Sequence, residues 1–185
     1  MDAAIANSGL RERLRKQTRG LHDLLDSRFD GAFAADLERY TGFLLMNARV
    51  LPVLEARLAQ DEEYRTLDDW KERFRTRALE RDLTGLGVEM PETTPFPHQP
   101  MRGAGAGIAY VLEGSRVGAR AIAKRLSESG LDFVPTAFLR HGREQRYWQD
   151  FLDWLARREG DEDYARGAVA SAAAAFQFYL EASEV

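Results

Sequence analysis

Apolar residues recur three and four positions apart over most of the chain, which is the spacing that places side chains on one face of an α-helix. No stretch shows the strict alternation with β-branched residues that indicates a strand. The pattern therefore predicts an all-α fold, a single-domain bundle of about six helices. The predicted helices cover residues 10–25, 37–58, 64–74, 103–126, 143–157 and 161–180.

Helix-breaking residues set the limits of these helices. Pro52 lies inside the second pattern and predicts a kink or a break there. The helical signal stops beyond Leu79, and four of the six prolines fall within 84–100, so this segment is predicted to be irregular. Gly130 is a candidate left-handed cap for the fourth helix. The acidic run that starts at Asp161 suits the positive end of the last helix.

The composition is that of a soluble globular protein, with 185 residues, 44% hydrophobic, 30% charged and a net charge of −4. A net negative charge provides no overall positive potential that would attract nucleic acid. The absence of cysteine excludes disulfides, thiolate metal sites and a thiol nucleophile. No apolar run reaches the ~18 residues that span a bilayer, and the first residues lack a secretion signal. We therefore expect one cytoplasmic domain over 1–185, with 1–9 as a flexible N-terminus and neither nucleic acid nor a membrane as a partner.

His22 lies at the edge of the first apolar stripe, beside a row of three arginines. Arg11, Arg15 and Arg19 precede it by eleven, seven and three residues. At about 100° per residue, all three members of this arginine row project within about 60° of the imidazole. Neighbouring cations repel one another unless an anion lies among them. A flat apolar ligand with carboxylates at its rim would suit a histidine placed between leucines and arginines.

Asp26 follows His22 by four residues, which is about one helical turn. It is therefore placed to accept a hydrogen bond from the imidazole nitrogen that does not bind a metal. A structural interpretation is also open at this point, because a single histidine beside an apolar stripe is more often a structural residue than a ligand. Runs of cations are, in the same way, commonly solvated helix faces.

Glycines are concentrated in the fourth predicted helix, although each one in a helix interior costs about 1 kcal/mol relative to alanine. Gly114 and Gly118 lie one turn apart on one face. Their missing side chains leave room for a ligand to approach the backbone, and they permit the helix to bend. Alternatively, small residues four positions apart let two helices pack tightly, and the sequence does not decide between these explanations.

Three segments resemble a known family. The segment LRKQTRGLH at residues 14–22 resembles the proximal helix of the heme oxygenase family. The segment YVLEGSRVG at 110–118 resembles its distal helix, most closely in bacterial members that accompany bacteriophytochromes. Residues 174–179 resemble the C-terminal helix of the family. The three segments follow the family's order and span most of the chain, so the resemblance implies the multi-helix fold of that family.

The resemblance implies roles for the residues around His22. By position, His22 matches the axial ligand of the heme iron, and Asp26 matches an acidic residue beside that histidine. The arginine row matches basic residues near the heme propionates, most directly through Arg15 and Arg19. Phe176 matches an aromatic residue of the last helix that lines the pocket.

On the other side of the ligand, Gly114 and Gly118 match the distal glycines that let the helix bend over the macrocycle and touch bound dioxygen. Ser115 stands where eukaryotic members place an aspartate that organises distal water, and Ala119 stands where a further glycine is common. Water ordered near Ser115 would deliver protons there. Tyr110 is expected to contribute to heme binding.

The implied activity is the cleavage of heme, which serves as substrate and cofactor, by dioxygen and electrons. The products would be biliverdin, carbon monoxide and ferrous iron. A separate ferredoxin or reductase would supply the electrons, attracted by the cationic patch, and a bacteriophytochrome is a further candidate partner.

Three other functions fit parts of the same pattern. A heme-binding protein without turnover would share His22 and the arginines, and an all-α interaction module would make both groups of residues structural. A helical enzyme acting on thiamin or quinone precursors is disfavoured because the chain lacks the cysteine or carboxylate cluster such an enzyme uses. His98 and His141 are predicted to be surface residues, with His141 as the alternative axial ligand.

Overall fold

The computed structural model describes residues 9–29, 36–158 and 160–184, and within these ranges it contains helices and turns but no strand. The all-α prediction is therefore confirmed. The predicted flexible N-terminus lies outside the described residues except for its last position. The helices are α1 (Leu10–Arg28), α2 (Leu37–Ala59), α3 (Thr76–Gly85), α4 (Ala104–Glu128), α5 (Ala137–Arg140), α6 (Tyr147–Ala156) and α7 (Glu162–Ala182).

The last helix, α7, is the one against which α1, α2 and α4 all pack. Its contact with α4 is very close because glycines stand where the two backbones meet. A Cβ built on Gly107 would lie 2.0 Å from the carbonyl oxygen of Ala168, and one built on Gly167 would lie 1.9 Å from the carbonyl oxygen of Arg102. These glycines are therefore required for packing.

Both α1 and α4 run parallel to α7. Near the start of α1, the guanidinium of Arg13 forms two 2.6 Å hydrogen bonds with Glu162 at the start of α7. Near the end of α1, Arg28 is 3.0 Å from Glu184, just beyond the end of α7. The beginning of α4 likewise lies against the first half of α7. The residues of α7 can therefore be used as a common scale for the positions of α1 and α4 residues along the bundle axis.

The prediction of a third helix over residues 64–74 is wrong. Residues 64–74 form a 3₁₀ turn at Tyr64–Thr66 followed by further turns, whereas the helix α3 begins only at Thr76. The apolar spacing in this segment comes from an aromatic cluster, in which the ring of Phe74 stacks on Tyr64 and meets Trp70 edge-on. The segment also buries Arg73.

One further boundary differs from the expectation. The helix α2 continues through Pro52, so the predicted break is absent. Leu51 and Leu54 are fully buried on either side, and this packing outweighs the single backbone hydrogen bond that proline removes. The left-handed cap predicted at Gly130 is confirmed, because this residue has φ 84° just after α4. The acidic start predicted for the last helix is also confirmed, because the Asp161 carboxylate accepts a 2.9 Å hydrogen bond from the backbone N–H of Tyr164.

Candidate functional site

The imidazole of His22 projects from α1 with 56% of its side chain exposed. Its ring meets Phe176 of α7 edge-on, with the centroids 5.8 Å apart. Nδ1 lies 3.3 Å from Oδ2 of Asp26 and 3.8 Å from Oδ1 of Asp23. Carboxylates at Nδ1 favour the tautomer with its proton there, which leaves the lone pair of Nε2 free to bind a metal.

The arginine row beside His22 is only partly neutralised by the protein. Arg19 lies 3.7 Å from Asp23. Among the residues the structure describes, no carboxylate lies within 4.0 Å of Arg11 or Arg15, and both side chains are exposed. The charge left over therefore belongs to these two arginines, and it is available to an anion.

Tyr110 of α4 lies within electrostatic reach of the same cations. Burial raises the pKa of its phenol, while Arg11 and Arg15 act in the opposite direction because positive charge favours the phenolate. The ring centroid of Tyr110 is also 5.8 Å from that of Trp148 on α6. The first two turns of α1 therefore lie near the second turn of α4, beside α6.

The glycines of α4 fall into two groups. A Cβ on Gly118 would meet no atom within 4 Å, and one on Gly114 would meet only the edge of the Trp148 ring at 3.7 Å, an ordinary contact. The neighbouring Val117 is 53% exposed. Within the described residues, tight helix packing thus explains Gly107 but does not explain Gly114 or Gly118. We call the surface formed by Gly114, Gly118 and Val117 the open face of α4.

His22 and the open face lie at about the same level of the bundle. His22 meets Phe176, whereas Gly107 lies between Ala168 and Ala172. Because α4 runs parallel to α7, Gly114 lies about 10.5 Å further along, at the level of the turn that contains Phe176. The two features therefore flank the same part of α7, on helices that both also contact α6.

Ser115 borders the open face, and its hydroxyl is already engaged on the inner side of α4. The O–H donates a 2.8 Å hydrogen bond to the carbonyl oxygen of Leu112. The oxygen accepts a 2.8 Å hydrogen bond from Nη2 of Arg75. Ser115 can therefore offer only an acceptor to a water molecule outside. Nothing in the sequence pattern distinguishes Arg75 from a surface arginine, so its place beside Ser115 was not predicted.

The buried stripe of α1 consists of Leu10, Leu14 and Thr18, and Leu24 lies beside it with 47% of its surface exposed. The surface positions expected for His98 and His141 hold only in part, because both side chains are half-buried. The ring of His98 shares a 2.8 Å hydrogen bond with Ser171, and Nδ1 of His141 lies 3.3 Å from Arg116. A depression of about 380 Å³ lies elsewhere, and none of the expected site residues lines it.

The burial of His141 makes stability depend on pH. Burial and the neighbouring Arg116, Arg75 and Arg81 lower its pKa from 6.5 to about 4. The unfolded chain therefore binds more protons between these values, so we expect the free energy of unfolding to fall as the pH decreases from 6.5 towards 4. When the free energy of unfolding is measured with urea at several pH values in this range, it should depend less steeply on pH in His141→Gln than in the wild type. An identical dependence on pH would show that His141 is not the group responsible.

No protein-family model matches the chain. The chain is 29% identical over 146 residues to a heme oxygenase from Xanthomonas campestris pv. campestris (strain 8004), an alignment that spans 78% of this chain and 88% of that protein.

The structure is similar to that of a heme oxygenase from Neisseria meningitidis, solved in NO-bound and CO-bound forms. The TM-score is 0.82 at 21% sequence identity, and the match covers 95% of this chain and 90% of that chain. The chain therefore has the fold seen in that heme oxygenase, as the sequence motifs implied. None of the described helices is long and apolar enough to cross a membrane.

Proposed function

We propose that this protein is a heme oxygenase, an enzyme that cleaves heme with dioxygen and electrons to biliverdin, carbon monoxide and ferrous iron. The observation that carries the proposal is that an exposed imidazole, His22, and the open face of α4 flank α7 at one level. The similarity to the heme oxygenase of Xanthomonas campestris and the shared fold support it.

The residues present fit heme. Nε2 of His22 would bind the iron, the uncompensated Arg11 and Arg15 would bind the propionates, and the missing side chains of Gly114 and Gly118 leave room for a macrocycle beside the backbone. Heme supplies the iron at which dioxygen is reduced and the ring that is oxidised. As a neutral ligand, His22 would lack the electron push with which a thiolate favours O–O cleavage.

The remaining residues control water and protons. Phe176, Tyr110 and Trp148 form aromatic surfaces beside the site that keep bulk water away from the macrocycle. Ser115 offers a hydrogen-bond acceptor at the edge of the open face, where it would hold a water molecule that relays protons.

The partners follow from the charge of the surface and from the motif in α4. Exposed cations of α1 that the propionates do not engage, such as Lys16, would attract an acidic ferredoxin or reductase, so the rate of reduction should fall as the salt concentration rises. The resemblance of residues 110–118 to bacteriophytochrome-associated members supports a bacteriophytochrome as the recipient of biliverdin.

Titration with hemin followed by reduction tests the proposed function. We expect a Soret band with one heme per chain. After addition of ascorbate or a ferredoxin system in air, we expect loss of that band and a green product absorbing in the far red. A stable heme complex that gives no product would instead indicate a heme-binding protein without turnover. The absence of any Soret complex would favour an interaction module.

The carboxylate beside the imidazole provides a sharper test. Replacing Asp26 with Asn removes the closer carboxylate at Nδ1 of His22, so we expect hemin affinity or turnover to fall about 10–100-fold. Asp23→Asn is the matched control, because its oxygen is 3.8 Å away instead of 3.3 Å and the effect should be clearly smaller. Equal effects of the two variants would show that Asp26 does not orient the ligand.

A further inference from the structure

The side of α4 opposite the open face is held by buried charged groups. Nη1 of Arg73 lies 3.2 Å from Oε2 of Glu113, and Nε of Arg116 lies 2.8 Å from the same oxygen. Arg116 also donates a hydrogen bond to the carbonyl oxygen of Arg73. Charge-assisted hydrogen bonds are directional, so these contacts hold the side chains of Glu113 and Arg116 on the inner side of α4.

Arg75 belongs to the same buried region but differs from Arg73 in its partners. Its side chain is fully enclosed, and Nη2 donates to the carbonyl oxygen of Leu112 at 3.1 Å and to Oγ of Ser115 at 2.8 Å. The guanidinium also lies 4.9 Å from the ring of Phe138. Within the described ranges, no carboxylate lies within 4.0 Å of this guanidinium, whereas Arg73 has both Asp69 and Glu113.

Burying a guanidinium with no carboxylate beside it lowers the free energy of unfolding. Its desolvation is not offset by an ion pair, and burial followed by the positive charge of Arg116 lowers the pKa of Arg75 to about 10. An apolar side chain of similar volume would fill the same space without this cost. The contacts of Arg75 with α4 therefore require an explanation beyond the stability of the fold.

We infer that Arg75 is a positioning residue that holds the Ser115 hydroxyl as a hydrogen-bond acceptor at the border of the open face of α4. By donating to Oγ, Arg75 directs the Ser115 O–H to Leu112, so that a water molecule at the open face must donate its own hydrogen to Ser115. The orientation of that water, and hence of the proton it passes on, is set from inside the bundle. The inference rests on the proposed function, because only a ligand at the open face makes this orientation matter.

The test compares Arg75→Lys, Ser115→Ala and the double variant. Both hydrogen bonds come from Nη2, which lies one bond further from the backbone than the Nζ of a lysine, so lysine keeps the charge but does not reach both acceptors. Arg73→Lys is the matched control, since Arg73 is equally buried and has no contact with Ser115. Thermal unfolding of each variant shows how much each substitution affects stability alone.

Two readouts separate positioning from stability. In the apoprotein, the NMR resonances of Ser115 should move in Arg75→Lys and stay in place in Arg73→Lys. In the ferric heme complex, Arg75→Lys and Ser115→Ala should each shift the midpoint of the acid–alkaline transition by about 0.5 pH unit or more. The double variant should match Ser115→Ala, because Arg75 acts through that hydroxyl.

Each contrary result has a distinct meaning. The inference would be overturned if Arg75→Lys shifted the acid–alkaline midpoint as much in the Ser115→Ala background as in the wild type. It would also be overturned if Arg73→Lys shifted that midpoint as much as Arg75→Lys does. If the wild-type protein forms no heme complex, the proposed function fails. Unmoved Ser115 resonances in the apoprotein of Arg75→Lys would overturn the positioning role on their own.

Discussion

Replacing His22 with alanine should remove the normal ferric Soret spectrum and lower turnover by more than about 100-fold, beyond the loss typical for residues that only support a metal ligand. Nε2 is the atom that would bind the iron, and the only other described histidines lie beside Arg116 or against Ser171. Because 56% of the His22 side chain is exposed, the free energy of unfolding should change by no more than about 0.5 kcal/mol.

Helix content by circular dichroism and the urea midpoint serve as controls for His22→Ala. Added imidazole should restore part of the Soret band, since it can occupy the position that the side chain leaves. An unchanged spectrum in this variant would reject His22 as the ligand.

Replacing Gly118 with leucine should block turnover or prevent heme binding, because the new side chain would occupy the open face. The smaller change Gly118→Ala should stabilise the apoprotein by about 1 kcal/mol, since a Cβ there meets no atom within 4 Å and alanine is the better helix former. Urea unfolding measures the stability, and hemin titration with turnover measures the site.

Two glycines provide matched controls for Gly118. Gly20→Leu adds the same side chain at an equally open position of α1, about 160° around the helix from His22, and should leave turnover unchanged. Gly107→Ala should destabilise the protein by about 1–3 kcal/mol, because its Cβ would collide with the carbonyl oxygen of Ala168. Full turnover in Gly118→Leu would contradict the assignment of the open face.

The sequence predicted the helical class and both sides of the candidate site because these depend on local spacing. His22 and Asp26 are one turn apart on any helix, and so are Gly114 and Gly118. Sequence alone could not separate packing glycines from exposed ones, since that difference depends on whether α7 lies against them. The structure makes the distinction, with Gly107 against Ala168 and Gly118 free of neighbours.

Buried charges account for much of what sequence analysis missed. The second half of α3 was not predicted, because Asp82 interrupts its apolar pattern. The carboxylate of Asp82 is nevertheless buried and accepts 2.8 Å hydrogen bonds from the N–H groups of Ala137 and Phe138. Arg75 was missed for the same reason. A charged residue in a sequence indicates a solvated position by default, and only the surrounding structure shows when it is enclosed.

The central claim is that His22 and the open face of α4 lie on opposite sides of one bound porphyrin. Binding of the diamagnetic gallium protoporphyrin to isotope-labelled protein, followed by NMR, tests this claim most directly. Ring currents should shift the resonances of His22 and of Gly114 and Gly118 together, with saturation at one porphyrin per chain. Shifts confined to one of the two helices would contradict the claim.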